Sequence, residues 1–134
     1  MKYLLDTNTC VHYLRYRNAS PVAARLASAQ PGEVVLCSVV VGELLFGVLR
    51  SKNVAKSSAD VKAFRVGFLS LPFDDRSAEE YAKIRADLAA KGTPIGPNDM
   101  LIAAVALANG LTLVTHNTAE FSRVAGLTLE DWQI

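Results

Sequence analysis

Four short apolar segments of β-type sequence alternate with longer helical segments along the chain. They are Lys2–Leu5, Val34–Leu36, Leu71–Phe73 and Leu111–Thr115. Strands this short and this apolar are typical of a parallel sheet covered on both faces, because each parallel connection needs a crossover that a helix supplies. The alternation therefore predicts an α/β domain built on a central parallel sheet of four strands. Gly126–Ile134 offers a fifth strand at one edge.

Residues that favour the first turn of a helix mark where the crossovers begin. Thr7–Thr9 offers N-cap residues for the first helix, Pro21 opens the second, and Ser38 caps the third. The segment Lys52–Asp60 contains no Pro or Gly, so we expect a helical connection there. It leads into a separate helical segment over Val61–Leu69.

The clearest amphipathic helix lies in the second half of the chain, between Asp74 and Gly92. Its apolar residues fall on one face, and Gly92 is a natural C-cap. Pro97 then opens another helix, which Gly110 closes before the fourth strand. A loop and a short helical turn are predicted after that strand.

The chain has 134 residues and a formal net charge of +1. That length suits one compact domain covering residues 1–134, and no linker or internal repeat divides it. A charge near zero gives no global basic field for nucleic acid, although a local basic patch is compatible with it. Composition alone therefore neither excludes nor indicates an RNA partner.

Two cysteines and the N-terminal sequence indicate the compartment. Cys10 and Cys37 lie outside any CxxC pair and follow apolar stretches, which predicts reduced and buried thiols. The N-terminus lacks the apolar region of a signal peptide, and no apolar run reaches the roughly 18 residues of a membrane span. We expect a cytoplasmic protein without a membrane partner.

Glu43 is the only charged residue between Val34 and Leu49. An unpaired carboxylate buried in apolar surroundings is costly enough that it tends to take up a proton. Glu43 therefore reaches solvent, has a partner, or faces a cation.

Asp6 and Asp99 are embedded in similarly apolar sequence. Each has a structural interpretation: Asp6 as an N-cap, and Asp99 as a favourable charge in the first turn of a helix. Taken together with Glu43, the two residues suggest a shared binding site for a cation. Clustered carboxylates repel one another unless a cation neutralises them, and Mg²⁺ or Mn²⁺ prefers oxygen ligands of this kind. The hypothesis is a metal site that activates water against a phosphodiester.

The sequence lacks the motifs that are typical of other catalytic and binding sites. His12 and His116 are far apart, with no HExxH pair and no cysteine partner, which argues against zinc. The sequence contains no GxGxxG after the first strand, no GxxxxGK[ST] and no GxSxG. A haloacid-dehalogenase phosphatase would need a second acid two residues after Asp6, where this chain has Asn8.

Three stretches carry a family resemblance that runs over nearly the whole chain. They are YLLDTN, CSVVVGELLFGVLRS and IGPNDMLIAAVALANGLTLVTHNTAEFSRVAGLTLEDW. They resemble the PIN-domain ribonucleases, specifically the VapC toxins of bacterial toxin–antitoxin pairs. The resemblance implies a three-layer, PIN-like (Rossmann-like) α/β fold and a toxic, Mg²⁺-dependent endoribonuclease, with Mn²⁺ as an alternative cofactor.

The resemblance also implies roles for individual residues. Asp6 and Asp99 match the metal-binding acids of the family, and Glu43 matches its third acid. Many PIN domains carry a further Asp after the fourth strand. This chain has Asn117 there, which can offer an oxygen to a metal-bound water but supplies no charge for a second metal. Glu120 is a nearby candidate to compensate, with a surface role as the alternative.

Thr7 and Thr115 are expected to hold the acids by hydrogen bonds, with ordinary capping and strand-end bonding as the alternative. The replacement of the fourth acid leaves a second interpretation open. In it, the chain is a catalytically weak PIN-like module that binds RNA or protein.

The expected substrate of such a family member is RNA, often a structured one such as tRNA. The expected assembly is a homodimer that binds a small VapB-type antitoxin. The apolar segments Gly42–Leu49 and Val61–Leu69 are candidates for the antitoxin groove, with core packing as the alternative for most of their residues. The scattered cations that could contact phosphates are Arg15, Arg17, Arg50, Lys52 and Lys91.

Overall fold

Five parallel strands form the central sheet of the computed structural model, which describes residues 1–134. The strands are β1 Tyr3–Leu5, β2 Val34–Cys37, β3 Ser70–Leu71, β4 Thr112–Val114 and β5 Leu129–Glu130. Their order is β3-β2-β1-β4-β5, and every neighbouring pair is parallel. Tyr3 pairs with Val34 on one side and Thr112 on the other, so β1 lies at the centre. The predicted parallel sheet with a fifth edge strand is confirmed.

Seven helices cover the sheet. They are α1 Thr7–Tyr16, α2 Pro21–Ser28, α3 Ser38–Leu49, α4 Val54–Arg65, α5 Asp75–Lys91, α6 Pro97–Ala108 and α7 Thr118–Phe121. Local sequence explains several of their ends. Asp74 caps α5 by accepting a hydrogen bond from the backbone N–H of Ser77 at 2.9 Å. Gly92 ends α5 with φ of 67°, a left-handed conformation that glycine adopts without strain.

Two helices begin differently from the prediction. The N-cap of α1 is Asp6, because its carboxylate accepts from the backbone N–H of Thr9; Thr7–Thr9 already belongs to the helix. Cys37 occupies the N-cap position of α3 without a side-chain bond. Ser38 is the first helical residue, and its hydroxyl donates instead to the carbonyl of Leu71 at 3.3 Å. The Ser38 hydroxyl was expected to cap α3, but it bonds the neighbouring strand β3 instead.

The segment expected to contain a connection and a second helix forms one helix, α4. Asn53 caps it by accepting from the N–H of Lys56 at 3.1 Å, and Val61 and Phe64 are its buried residues. The helix ends at Arg65, and the chain then turns toward β3. The boundary at Asp60 was wrong because the polar residues before it lie on the exposed surface of the same helix.

One contiguous core of 31 buried residues holds the layers together. Strands β1 and β2 are buried at every position, and in α6 the run from Ile102 to Ala106 is fully buried. Continuous burial of this kind is expected of a sheet with helices on both faces. Cys10 and Cys37 are free and buried, as predicted.

No helix in the structure combines the length and the apolar character that crossing a membrane requires.

The carboxyl ends of β1, β2 and β4 lie at one edge of this sheet, because the three strands are parallel neighbours. Ligands of open parallel sheets bind at that edge, in the crevice outside the strand ends. Asp6 follows β1, Thr115 follows β4, and α3 begins directly after β2. The topology thus brings together residues that are far apart in the sequence.

Candidate functional site

Asp6 is fixed at the end of the central strand. Its backbone N–H donates to the carbonyl of Val114 at 3.0 Å, which continues the β1–β4 ladder. Its carboxylate accepts from the N–H of Thr9 at 2.8 Å. The residue is only 4% exposed. Burial raises the pKa of Asp6, and the hydrogen bonds from Thr115 and Thr9 oppose that shift. Asp6 is therefore both a helix cap and a buried acid.

Glu43 has hydrogen-bond partners but no basic partner. The hydroxyl of Thr7 donates to its Oε1 at 2.5 Å, and the side-chain amide of Asn98 donates to Oε2 at 3.4 Å. The side chain is half-buried in a shallow cavity that Asn98 and Asp99 also line. The lone charge of the third helix thus points at the first turn of α6.

Asp99 and Glu120 form the other half of the site. The N–H of Gly96 donates to Glu120 Oε1 at 2.7 Å, and the amide of Asn117 donates to Oε2. Burial raises the pKa of Asp99 to about 7, and the neighbouring charge of Glu120 is the next cause. The Gly96 N–H holds the pKa of Glu120 below its usual value. The opposite directions of the two shifts mean that Asp99 takes up a proton more readily than Glu120 does.

The loop at Gly96 approaches the acids closely. A Cβ there would lie 3.1 Å from Oδ2 of Asp99 and 3.7 Å from Oε1 of Glu120. The first of these distances is tighter than normal van der Waals contact. A side chain at position 96 would therefore press on the carboxylate of Asp99.

We call Asp6, Glu43, Asp99 and Glu120 the acid cluster. The charges of Glu43 and Asp6 add to the rise in the pKa of Asp99, and that of Glu43 adds to the rise at Asp6. None of the six ion pairs in the structure involves these acids. The cluster is therefore a concentration of like charge without a basic residue paired to it.

The donor set fits a hard divalent cation. All its donors are carboxylate oxygens, and their mutual repulsion is the kind that a bound cation relieves. No group of three or more His, Cys, Asp or Glu side chains is arranged in this structure so that it could hold one metal ion in common. Mg²⁺ does not need such a set, since it is commonly held by one or two carboxylates and keeps several waters.

Three site residues escaped the sequence reasoning: Thr9, Gly96 and Asn98. Thr9 follows Asp6 by three residues, which is the spacing of an N-cap bond and was a usable signal. Asn98 stands between Pro97 and Asp99, but its bond to Glu43 joins residues 55 apart in sequence. Nothing local marks Gly96, since its backbone φ of −55° is open to any residue.

Comparisons with known proteins agree with the fold. The PIN-domain family model matches residues 3–127. The chain is 39% identical over 132 residues to the tRNA(fMet)-specific endonuclease VapC of Shigella flexneri, covering 98% of each protein. It is 35% identical to Ribonuclease VapC2 of Rickettsia felis, again covering 98% of each. The crystal structure of DNA-bound VapBC from Salmonella typhimurium superposes with a TM-score of 0.93 at 35% identity and covers 98% of each chain.

Proposed function

This chain belongs to the PIN-domain family and, within it, to the VapC ribonucleases of toxin–antitoxin pairs. From that premise we propose that it is a Mg²⁺-dependent endoribonuclease that cleaves tRNA at the acid cluster. The observation that carries the proposal is the convergence of four acids, from the end of β1 and from α3, α6 and α7, on one cluster without a basic partner. Thr7 bonds Glu43, and Gly96 stands between Asp99 and Glu120.

Asp6, Glu43 and Asp99 are the proposed metal-binding and catalytic acids. A divalent cation held there supplies Lewis-acid activation of water and offsets the charge of the phosphodiester. The protein's own contribution is positional. Thr9 and Thr115 fix Asp6, and Thr7 fixes Glu43, so the carboxylates keep their orientation before substrate arrives.

Glu120 is the proposed substitute for the fourth acid that many PIN domains carry after the fourth strand. Asn117 occupies that position and cannot supply charge, but its amide donates to Glu120. Glu120 is also the neighbour whose charge most affects Asp99. Glu120 thus supplies the negative charge that Asn117 lacks, one helical turn further along the chain.

The substrate proposal is tRNA, since a similar chain carries the name tRNA(fMet)-specific endonuclease. The deciding experiment incubates a tRNA pool with the protein in excess Mg²⁺ or with a chelator, and maps the new RNA ends by sequencing. Discrete cleavage that the chelator abolishes supports the proposal. Binding of tRNA without cleavage would instead identify a catalytically weak RNA-binding module.

The matched variants are Glu43→Gln and Glu79→Gln. Glu43→Gln keeps the shape of the side chain and removes its charge, so cleavage should be lost while the fold is kept. Glu79 is an exposed acid on α5 with no hydrogen bond or ion pair, and its variant should cleave as the unchanged chain does. Full activity of Glu43→Gln would refute the assignment.

A VapB antitoxin is the proposed protein partner, since the solved structures that this chain resembles are VapBC complexes. A groove between α1, α3 and α4 suits an apolar antitoxin segment. It is lined by Val11, Leu14, Leu44, Val48 and Val61, and it also reaches Glu43. A basic antitoxin side chain laid along this groove would meet the charge of Glu43 and inhibit the site.

Within the two segments expected to line the groove, Phe46 is 58% exposed on α3, whereas Phe64 is buried. We also propose that the chain forms a homodimer. Light scattering of the purified protein should give twice the mass of one chain, and the mass of a single chain would exclude the dimer. Co-expression with VapB should relieve toxicity if the partner proposal holds.

A further inference from the structure

Next to the acid cluster lies an open polar cleft of about 550 Å³. Its lining includes Asn8, His12, Arg15, Tyr16, His116 and Asn117. We call it the histidine cleft. The two histidines come from α1 and from the loop after β4, so folding brings together the only two histidines of the chain. No carboxylate lines the cleft.

His12 is oriented by a buried serine. Ser20 is 3% exposed, and its Oγ already accepts from the N–H of Val22 at 3.2 Å. Its hydroxyl proton has one acceptor within reach, Nδ1 of His12 at 2.7 Å. Because a buried hydroxyl donates wherever an acceptor is available, Nδ1 of His12 accepts and the ring proton lies on Nε2. That Nε2–H has no partner within the protein and is a free donor for a ligand.

His116 is oriented by a carboxylate. Its Nδ1–H donates to Asp131 Oδ2 at 2.9 Å, while the ring remains largely exposed. Nε2 of His116 has no protein partner and is available to the same cleft. Both imidazoles are therefore held from behind through Nδ1 and present their other nitrogen outward, as a binding site requires.

The cleft also offers an aromatic surface and a cation. Tyr16 is 48% exposed, and its ring lies 4.7 Å from the ring of His12, centroid to centroid. Arg15 is exposed and forms none of the structure's ion pairs. Exposed rings beside an unpaired guanidinium are the elements that bind unstacked bases and their phosphates.

Asn117 joins the cleft to the acid cluster. It lines the cleft, and its amide donates to Glu120. Asn8 lines the same cleft two residues after Asp6. A strand of RNA whose phosphodiester lies at the acids would therefore continue directly into the cleft.

We propose that the histidine cleft binds the unpaired nucleotides of RNA next to the scissile bond, with a base stacked on Tyr16 and His12 and a phosphate bound by Arg15. His116 Nε2 bonds the base or the sugar. The inference rests on the proposed ribonuclease function, because it assigns a nucleotide-binding role to the surface beside that site. Tyr16, Arg15 and His116 are positioning residues, since none of them touches the reacting phosphate.

The experiment measures binding of a short fluorescent single-stranded RNA, with a chelator present and Glu43→Gln as the background, so that the RNA stays intact. Tyr16→Leu and His116→Ala should each raise Kd about 10-fold, the usual effect of losing a stacked or bonded base. Tyr16→Phe keeps the ring and should bind normally. Arg15→Gln should weaken binding and reduce the slope of log Kd against log salt by about 0.7.

Arg85→Gln is the control for Arg15→Gln, because it removes the same charge from α5, outside the cleft. Thermal melting of each variant shows whether it is folded. Kd values for the cleft variants equal to that of Arg85→Gln would overturn the proposal, as would loss of antitoxin binding with RNA binding unchanged. If the unchanged chain cleaves no RNA, the ribonuclease proposal fails on its own, since binding is measured without cleavage.

Discussion

The acid cluster and the histidine cleft share Asn117 but are built in opposite ways. The cluster crowds acids whose charges raise the pKa of Asp99, and its members are held by hydroxyl and amide donors. In the cleft, Ser20 and Asp131 hold His12 and His116 through Nδ1, and the Nε2 atom of each ring has no partner within the protein. The difference separates two tasks. A site for a cation needs concentrated negative charge, whereas a site for nucleotides must exclude it.

The largest effect is expected from Asp99→Asn, which should abolish the function of the cluster and leave the cleft intact. We expect cleavage of tRNA to fall roughly 1,000-fold, since the variant removes a charge worth several kcal/mol in the transition state. Binding of single-stranded RNA in chelator should be unchanged or tighter, because like charge near the RNA is lost. Initial rates and fluorescence anisotropy measure the two quantities.

Asp75→Asn is the matched control, since Asp75 also lies in the first turn of a helix but outside the cluster. If Asp99→Asn lost RNA binding as well as cleavage, the cluster and the cleft would not be separable.

The next effect is stabilisation by metal. At a Mg²⁺ concentration about 100 times Kd, binding to the native state adds about 2.7 kcal/mol, which raises Tm on the order of 5–10 °C. The rise occurs because a cation neutralises the crowded carboxylates. Differential scanning fluorimetry with Mg²⁺ and with chelator measures it. The Asp99→Asn variant should lose most of the rise, and an equal rise in that variant would place the cation elsewhere.

Ser20→Ala affects only the cleft. The substitution removes the N-cap of α2 and the buried hydroxyl that orients His12. We therefore expect the free energy of unfolding to fall by about 1–2 kcal/mol. Urea denaturation measures the change. Ser58→Ala, at an exposed position of α4, is the control. Single-stranded RNA binding should weaken while metal-induced stabilisation persists; loss of the metal effect would contradict the division.

The smallest effect is expected from Gly96→Ala, which affects only the cluster. The new methyl would lie 3.1 Å from Asp99 Oδ2, so the carboxyl must move by a few tenths of an ångström. Misplacement of that size should lower kcat by about 3- to 10-fold. Gly67→Ala, whose methyl meets nothing closer than 3.7 Å, should leave kcat unchanged. Unaltered kcat in Gly96→Ala would show that the loop tolerates a side chain there.

Much of the fold was predictable because its signals are local. The apolar runs of β1 and β2 and the cap at Gly92 each depend on a few consecutive residues. Predictions failed where a distant element competed. The Ser38 hydroxyl bonds the carbonyl of Leu71 rather than capping α3, and no local rule anticipates that partner.

The same contrast between local signals and distant contacts applies to the candidate site. The isolation of Glu43 in an apolar run and the family resemblance predicted Asp6, Glu43 and Asp99 as metal-binding acids, and that assignment stays a prediction. The contact of Gly96 with Glu120 and the meeting of His12 and His116 in one cleft were not accessible, because each joins parts of the chain that are far apart in sequence.

The sequence by itself determined the alternation of strands and helices and the residue types at the strand ends, since hydrophobic periodicity and capping act over one or two turns. Tertiary structure alone decided which charges would meet. Parallel pairing of β1 with β2 and β4 sets Asp6, Glu43 and Asp99 at one sheet edge. Electrostatic repulsion depends on distance in space and not on separation along the chain.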